Sequence, residues 1–310
     1  MTLAEKINHD LENHLNLFLS DLPEKQAEIY RYAVLPPGKM FRAKLSWAVY
    51  GDVNQIENLQ DIDTSTSPDN RFLASAIEVH HAYTLVHDDL PCMDDDDFRR
   101  GKHSTHKKYG EWPALLIGDG LLNLSYELIA NCSDQSSPEL FKLMTTKCGA
   151  LGLINGQFED LSYGDEAKSL EKIIKIHELK TARLLEVSLV GGLIASGDQS
   201  AEKRAQLEKL GLSLGIVFQF IDDLTELAEG DIDGHELMIN PWPQFKEETL
   251  KVTMENLNLL NESCQGFPLV KEIINEYLAK MKGIISTNQT KIEERIDGLS
   301  LSPLMDILNI

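Results

Sequence analysis

The sequence predicts an all-α protein, on three observations. Apolar residues recur at helical spacing through nearly every segment, as in Leu207, Leu210, Leu214, Val217, Phe218 and Ile221. Sustained period-two alternation, the mark of a half-buried strand, is hard to find. Turn-forming clusters interrupt the helical spacing only at Pro36-Pro37-Gly38, Val53 to Asn70, Pro91 to Gly110 and Gly230 to Pro243. No Ser/Gly linker, composition shift or internal repeat divides the 310 residues, so one domain spanning 1–310, a single large helical bundle, is expected.

Taken in order, Met1 to Ser20 carries Glu5, Asp10 and Glu12 where a signal peptide wants a basic start and an unbroken apolar stretch, which predicts a cytoplasmic protein. Lys39 and Arg42 follow the Pro-Pro-Gly break one helical turn apart. Asp61 to Asn70, rich in Asp, Ser and Thr, reads as a mobile surface loop. An amphipathic segment then runs through His81 to Asp88 and is ended or kinked by Pro91. Ile173, Ile176 and Leu184 share a stripe, with Lys180 and Thr181 on that helix and His177 one turn before. The most apolar run, Leu184 to Ala195, contains Glu186 and a Gly191-Gly192 break and falls short of the roughly eighteen apolar residues of a membrane span. Glu229 to Ile310 reads as further helix. Cys92, Cys132, Cys148 and Cys264 form no C-x-x-C pair and are expected as reduced thiols.

The net charge is −21, from 50 acids against 29 bases. Nucleic acid needs a concentrated basic surface and is an unsuitable partner. A phosphate-bearing ligand would need a local basic cluster or bound cations that invert the field. Both are visible. His87-Asp88-Asp89-Leu90-Pro91-Cys92-Met93-Asp94-Asp95-Asp96-Asp97 sets six carboxylates at a helix C-terminus, where the macrodipole disfavours them unless a cation is present. Alone, such a run is more often a solvated acidic loop. A second cluster lies within a helix: Gln219, Asp222, Asp223 and Glu226 occupy neighbouring faces by i, i+3, i+4 geometry. Alone it too could be a solvated face. Two clusters on separate helices suit a pair of carboxylate walls, and oxygen ligands without Cys or His select a hard cation such as Mg²⁺, completed by phosphate oxygens. An EF-hand is the rival, but no full loop ending in a bidentate Glu is present. Cations for the anion are Lys39 and Arg42, Arg99 and Arg100, and Lys180. Arg99 and Arg100 could equally neutralise the acid run. Together these features outline a prenyl diphosphate above an apolar interior.

The run His81-Ala82-Tyr83-Thr84-Leu85-Val86-His87-Asp88-Asp89-Leu90-Pro91-Cys92-Met93-Asp94 resembles the first aspartate-rich motif of the trans-prenyltransferases, the polyprenyl synthetases, in their bacterial farnesyl diphosphate synthase (geranyltranstransferase) form. Further matches follow in the family's order: Gly38-Lys39 and Arg42, Arg99-Arg100-Gly101, Gly118-Asp119, Gly156-Gln157 with Asp160, Lys180-Thr181, and Phe218-Gln219 before Asp222-Asp223. The resemblance implies an isoprenoid synthase bundle with a central apolar cavity. It implies several Mg²⁺ ions held by Asp88, Asp89, Asp94, Asp222 and Glu226 and bridging to an allylic diphosphate contacted by Arg99, Lys180, Thr181 and Gln219. Gly38, Lys39, Arg42, His81 and Arg100 would hold isopentenyl diphosphate. The implied reaction joins the two to give farnesyl diphosphate from dimethylallyl or geranyl diphosphate, in a homodimer, with Asp88, Asp89, Arg99, Lys180 and Asp222 as the catalytic set.

Tyr83 precedes Asp88 by five residues, about 7.5 Å deeper along a helix axis. In the resembling family an aromatic there accompanies a fifteen-carbon product. The chain departs from the family pattern at Met40, Ala43 and Glu226, and Gly230 to Pro243 lacks the family's lysines. A second reading follows from that last departure: a non-catalytic subunit that partners an active relative.

Overall fold

The computed structural model describes residues 1–162, 169–228 and 239–308 and is all-α. Its contacts divide into two compact units, Met1–Leu143 with Gly191–Gln199, and Met144–Val190 with Ser200–Ile310. Each is described by itself.

The first unit opens with α1 (Leu3–Phe18), started by a capping box in which Thr2 Oγ1 accepts from the Glu5 N–H and Glu5 accepts from the Thr2 N–H. Next come α2 (Glu24–Val34), α3 (Phe41–Val53) and α4 (Pro68–Asp88). Helix α4 has Ser67 at its N-cap, Pro68 in the first turn where the missing N–H is harmless, and Asp89 at its C-cap. The segment predicted as a mobile loop is instead pinned. It folds into two short 3₁₀ turns, Leu59–Asp61 and Thr64–Thr66. Ile62 is fully buried, and Lys6 Nζ donates to the Gln60 and Ile62 carbonyls. One inward apolar side chain and one lysine are enough to fix a polar stretch whose composition signals only turns.

Beyond α4, two-residue strands β1 (Phe98–Arg99) and β2 (Lys102–His103) form an antiparallel hairpin. Arg100 and Gly101 join them with φ of 53° and 75°, the left-handed pair that a two-residue hairpin turn requires. Then follow α5 (Thr105–Tyr109), α6 (Glu111–Ala130) and α7 (Ser137–Cys148), of which the part up to Leu143 belongs to this unit. Helices α4 and α6 pack along one seam: His80 Nδ1 meets Ser125 Oγ at 3.1 Å, and His87 Nε2 reaches the Leu115 carbonyl at 3.1 Å. Gly118 makes the approach possible, because a Cβ there would stand 2.1 Å from His87 Nε2.

The second unit holds α8 (Leu153–Ser162), α9 (Leu170–His177), a π-helical turn at Glu178–Ala182, the part of α10 (Arg183–Ala195) up to Val190, and α11 (Ala201–Glu226). It continues through α12 (Trp242–Ser263), α13 (Pro268–Arg295) and α14 (Ser302–Ile307). Ile173, Ile176, Ile216 and Phe220 form a buried cluster in it. The Gly191-Gly192 break does not interrupt α10. The pair belongs to the first unit and serves packing within it, since a Cβ on Gly192 would lie 2.5 Å from the Ser46 carbonyl oxygen. None of the described helices is long and apolar enough to cross a membrane.

Candidate active site

The first aspartate-rich run sits where α4 gives way to the hairpin. The Asp94 N–H donates to the Asp88 carbonyl at 2.9 Å, which folds the chain back so that the ends of the motif share one turn. Asp89 is buried and bound by Arg99, whose Nε and Nη2 donate to Oδ1 at 2.8 and 2.6 Å. Arg99 Nη2 also donates to Asp96 at 2.5 Å. Burial raises the Asp89 pKa, and the Arg99 bonds work against that rise. Asp88, Asp89 and Asp94 offer only carboxylate oxygens, the donor type a hard divalent cation takes, but among the described residues the ligand atoms that converge belong to other side chains. Asp95 and Asp97 belong to a different group with His106, their ligand atoms within 4.8 Å of one another. Lys107 Nζ pairs with Asp97 at 2.7 Å, so this group carries its own counter-charge.

A second constellation in the same unit gathers the predicted isopentenyl diphosphate residues. Arg42 Nη1 donates to His81 Nε2 at 3.5 Å, and a Cβ on Gly38 would meet the Arg100 guanidinium at 3.3 Å. Burial, then the charges of Arg42 and Arg100, hold the His81 pKa well below its ordinary value, so the ring is neutral and can accept. Met40, with φ of 49°, and Arg100 both take the left-handed backbone, which costs a side-chain-bearing residue about 1–2 kcal/mol. Lys39 stands exposed between Gly38 and Met40.

The residue that sequence reasoning missed here is Glu78. It is buried, accepts from the Ala43 N–H at 3.3 Å, and its charge acts on Arg42 and Arg100. Its pKa is raised by burial, with Arg42, the Ala43 bond and Arg100 opposing. The available signal was an acid inside the apolar stretch Ala74 to Val79, one turn before His81.

Tyr83 is buried on the stripe of α4 that carries His80 and His87. Its ring meets theirs edge-on, at 4.7 and 5.6 Å between centroids. Burial lowers the His80 pKa to about 3.

In the second unit, Lys180 and Thr181 lie on the π-helical turn rather than on an α-helix as predicted. The wider turn displaces one residue from the helical register, a device frequent at functional sites. Lys180 Nζ pairs with Asp160 of α8 at 2.5 Å. Thr181 Oγ1 donates to Gln219 Oε1 at 3.1 Å, and Gln219 Nε2 donates to Asp223 Oδ1 at 2.8 Å. His177 Nε2 faces the other oxygen of Asp223 at 3.5 Å. Asp223 is thereby committed to its own unit, while Asp222 and Glu226 remain half-buried on α11.

Three further residues that the sequence left unread support α11. Asn240 Nδ2 donates to the Asp223 carbonyl at 2.7 Å, and Trp242 Nε1 to the Phe220 carbonyl at 2.7 Å. Tyr277 of α13 stacks on Phe218 and donates to its carbonyl. Burial, then the charges of Asp222 and Asp223, push its pKa well up. The lysine-free stretch noted after the second motif lies largely outside the described residues, at 229–238.

The chain is similar to known proteins over most of its length. The polyprenyl synthetase family model matches residues 23–233. A farnesyl diphosphate synthase of Bacillus subtilis is 35% identical over 224 residues, covering 70% of this chain and 72% of that protein. A heterodimeric geranylgeranyl pyrophosphate synthase large subunit of Arabidopsis thaliana is 36% identical over 283 residues, covering 86% of this chain and 71% of the relative. Among solved structures, a geranyltransferase from Helicobacter pylori, complexed with magnesium and isoprenyl diphosphate, superposes with a TM-score of 0.73 at 28% identity, over 91% of this chain and 98% of that one.

Proposed function

Because the chain belongs to the polyprenyl synthetase family and is a prenyltransferase, we propose that, with Mg²⁺, it adds isopentenyl diphosphate once to geranyl diphosphate, or twice in succession to dimethylallyl diphosphate, to give farnesyl diphosphate, each addition releasing diphosphate and a proton. The observation that carries this reading is the separation of two sets of cations within one unit. Arg99 is committed to Asp89 and Asp96, beside the acids that would hold the metal, whereas Arg42 and Arg100 act on Glu78, with the neutral His81 ring against Arg42. A two-diphosphate reaction needs two such anion sites.

In this reading Asp88, Asp89 and Asp94, and on α11 Asp222 and Glu226, are the carboxylates that would hold Mg²⁺, which would supply Lewis acidity to a departing diphosphate. Arg99, Lys180, Thr181 and Gln219 orient the allylic substrate. Gly38, Lys39, Arg42, His81 and Arg100 hold isopentenyl diphosphate. No side-chain nucleophile is required, and apolar walls keep water from the allylic cation. Tyr83 limits product length, its ring held by His80 and His87, so Tyr83→Ala should shift products to twenty carbons or more. A retained activity with unchanged products would remove Tyr83 from that role. The active species in this reading is a homodimer in the cytoplasm.

The deciding experiment incubates the purified protein and Mg²⁺ with isopentenyl diphosphate and, in turn, dimethylallyl, geranyl and farnesyl diphosphate, and reads products by chain length. Fifteen-carbon product from the first two is expected. A folded protein that makes nothing from any pair would favour the second reading, a subunit that partners an active relative, to which the lysine-free stretch Gly230 to Pro243 points.

A further inference from the structure

Pro36 and Pro37 have no N–H, so the carbonyls of Tyr32 and Ala33 in the last turn of α2 lack the donor four residues on that a continuing helix would supply. Lys102 of β2 supplies a donor for the first of them. Its Nζ donates to the Tyr32 carbonyl at 2.5 Å and to the Leu35 carbonyl at 2.7 Å, and lies 4.0 Å from the centroid of the Tyr32 ring. Two more bonds join the same elements: the Tyr32 hydroxyl donates to the His103 carbonyl at 2.7 Å, and Arg100 Nη1 donates to the Pro36 carbonyl at 3.5 Å. The ammonium is therefore directed at the end of α2, where the helix dipole favours a cation. It holds there although burial and the charges of Arg100 and Lys108 oppose it.

We propose that Lys102 is a positioning residue for the isopentenyl diphosphate site, tethering the loop of Pro36 to Met40 to the hairpin of Phe98 to His103 so that Gly38, Lys39 and Arg100 are set before the diphosphate arrives. The proposal rests on the assignment of that substrate to Lys39, Arg42 and Arg100 made above. Lys102 does not itself touch the diphosphate; its Nζ is engaged by two carbonyls and an aromatic face. Its effect is preorganisation: without the tether, binding must order the loop, and affinity falls by that amount.

The test compares Lys102→Met, which keeps the length of the chain and removes the charge, with Lys102→Arg, which can still donate to both carbonyls. Lys102→Met should raise the KM for isopentenyl diphosphate, and its Kd by calorimetry, about tenfold, or about 1.4 kcal/mol. The KM for geranyl diphosphate should stay within about twofold, and Lys102→Arg should recover most of the loss. Tyr32→Phe, which loses only the hydroxyl bond to the hairpin, should give a smaller shift in the same direction and remains informative if Lys102→Met misfolds. Equal changes in both KM values, or unchanged isopentenyl diphosphate binding in folded variants, would overturn the tether alone. A wild-type protein that binds no isopentenyl diphosphate would overturn the substrate assignment and the tether with it.

Discussion

Asp89 and Asp96 share one guanidinium yet should respond differently to truncation. Arg99 keeps two bonds to Asp89 when Asp96 is removed, and Asp96 matches no ligand position in the family's motif. Asp88→Ala and Asp89→Ala are each expected to lower kcat on the order of a hundred- to thousandfold, because each strips charge from where the leaving group develops its own. Asp96→Ala should be mild. Equal losses at Asp89 and Asp96, measured at saturating Mg²⁺, would point to general charge rather than coordination. The sequence made this ranking available because the spacing of Asp88, Asp89 and Asp94 is itself the signal. It could not supply Glu78 or Asp160 as partners of the cations, since pairing across α3 and α4, or across α8 and the π-helical turn, depends on packing that no local spacing encodes.

At the scale of elements, the long helices were legible and the short irregular ones were not. The stripe of Leu207, Leu210, Leu214, Val217 and Ile221 is buried on α11 as its spacing predicts, with Phe218 at its margin. The hairpin went unseen because two-residue strands have no alternation to detect. The π-helical turn went unseen because a single shifted bond leaves the apolar pattern almost intact, yet it sets where Lys180 points. Gly156 of α8 packs directly on that turn: a Cβ there would stand 2.4 Å from the Lys180 nitrogen and 2.8 Å from the Leu179 carbonyl carbon. Backbone cannot step aside as a flexible side chain can. Gly156→Ala should therefore cost about 1–3 kcal/mol, read from urea unfolding, and raise the KM for the allylic substrate. Wild-type stability in this variant would mean that the contact relaxes freely.

For the whole molecule, two buried histidines tie stability to pH. His14 is held at a pKa of about 4, first by burial and then by the Arg71 charge, and His80 at about 3 by burial. Both have an ordinary value of 6.5, so below that pH the unfolded chain takes up protons that the folded chain refuses. Their contribution to stability is fully present above pH 6.5 and falls with acidification, by up to about 1.4 kcal/mol per pH unit for each group. His80→Asn, which can still bond Ser125, should lose less stability than wild type between neutral pH and pH 5 in urea titrations. Identical losses would show that other groups govern the acid limit.

The placement of the indoles gives the protein an optical reporter in each unit. Trp47 and Trp242 are fully buried, the first in α3 and the second donating to the helix that carries the second acid motif, while Trp112 is largely exposed. Trp112→Phe should remove the long-wavelength, quencher-accessible part of the emission and leave a blue-shifted band. With Trp47 also replaced by Phe, light would come from Trp242 alone, and its colour and polarisation would follow the end of α11 as diphosphate and metal are added. An emission still fully open to acrylamide after Trp112→Phe would contradict that burial.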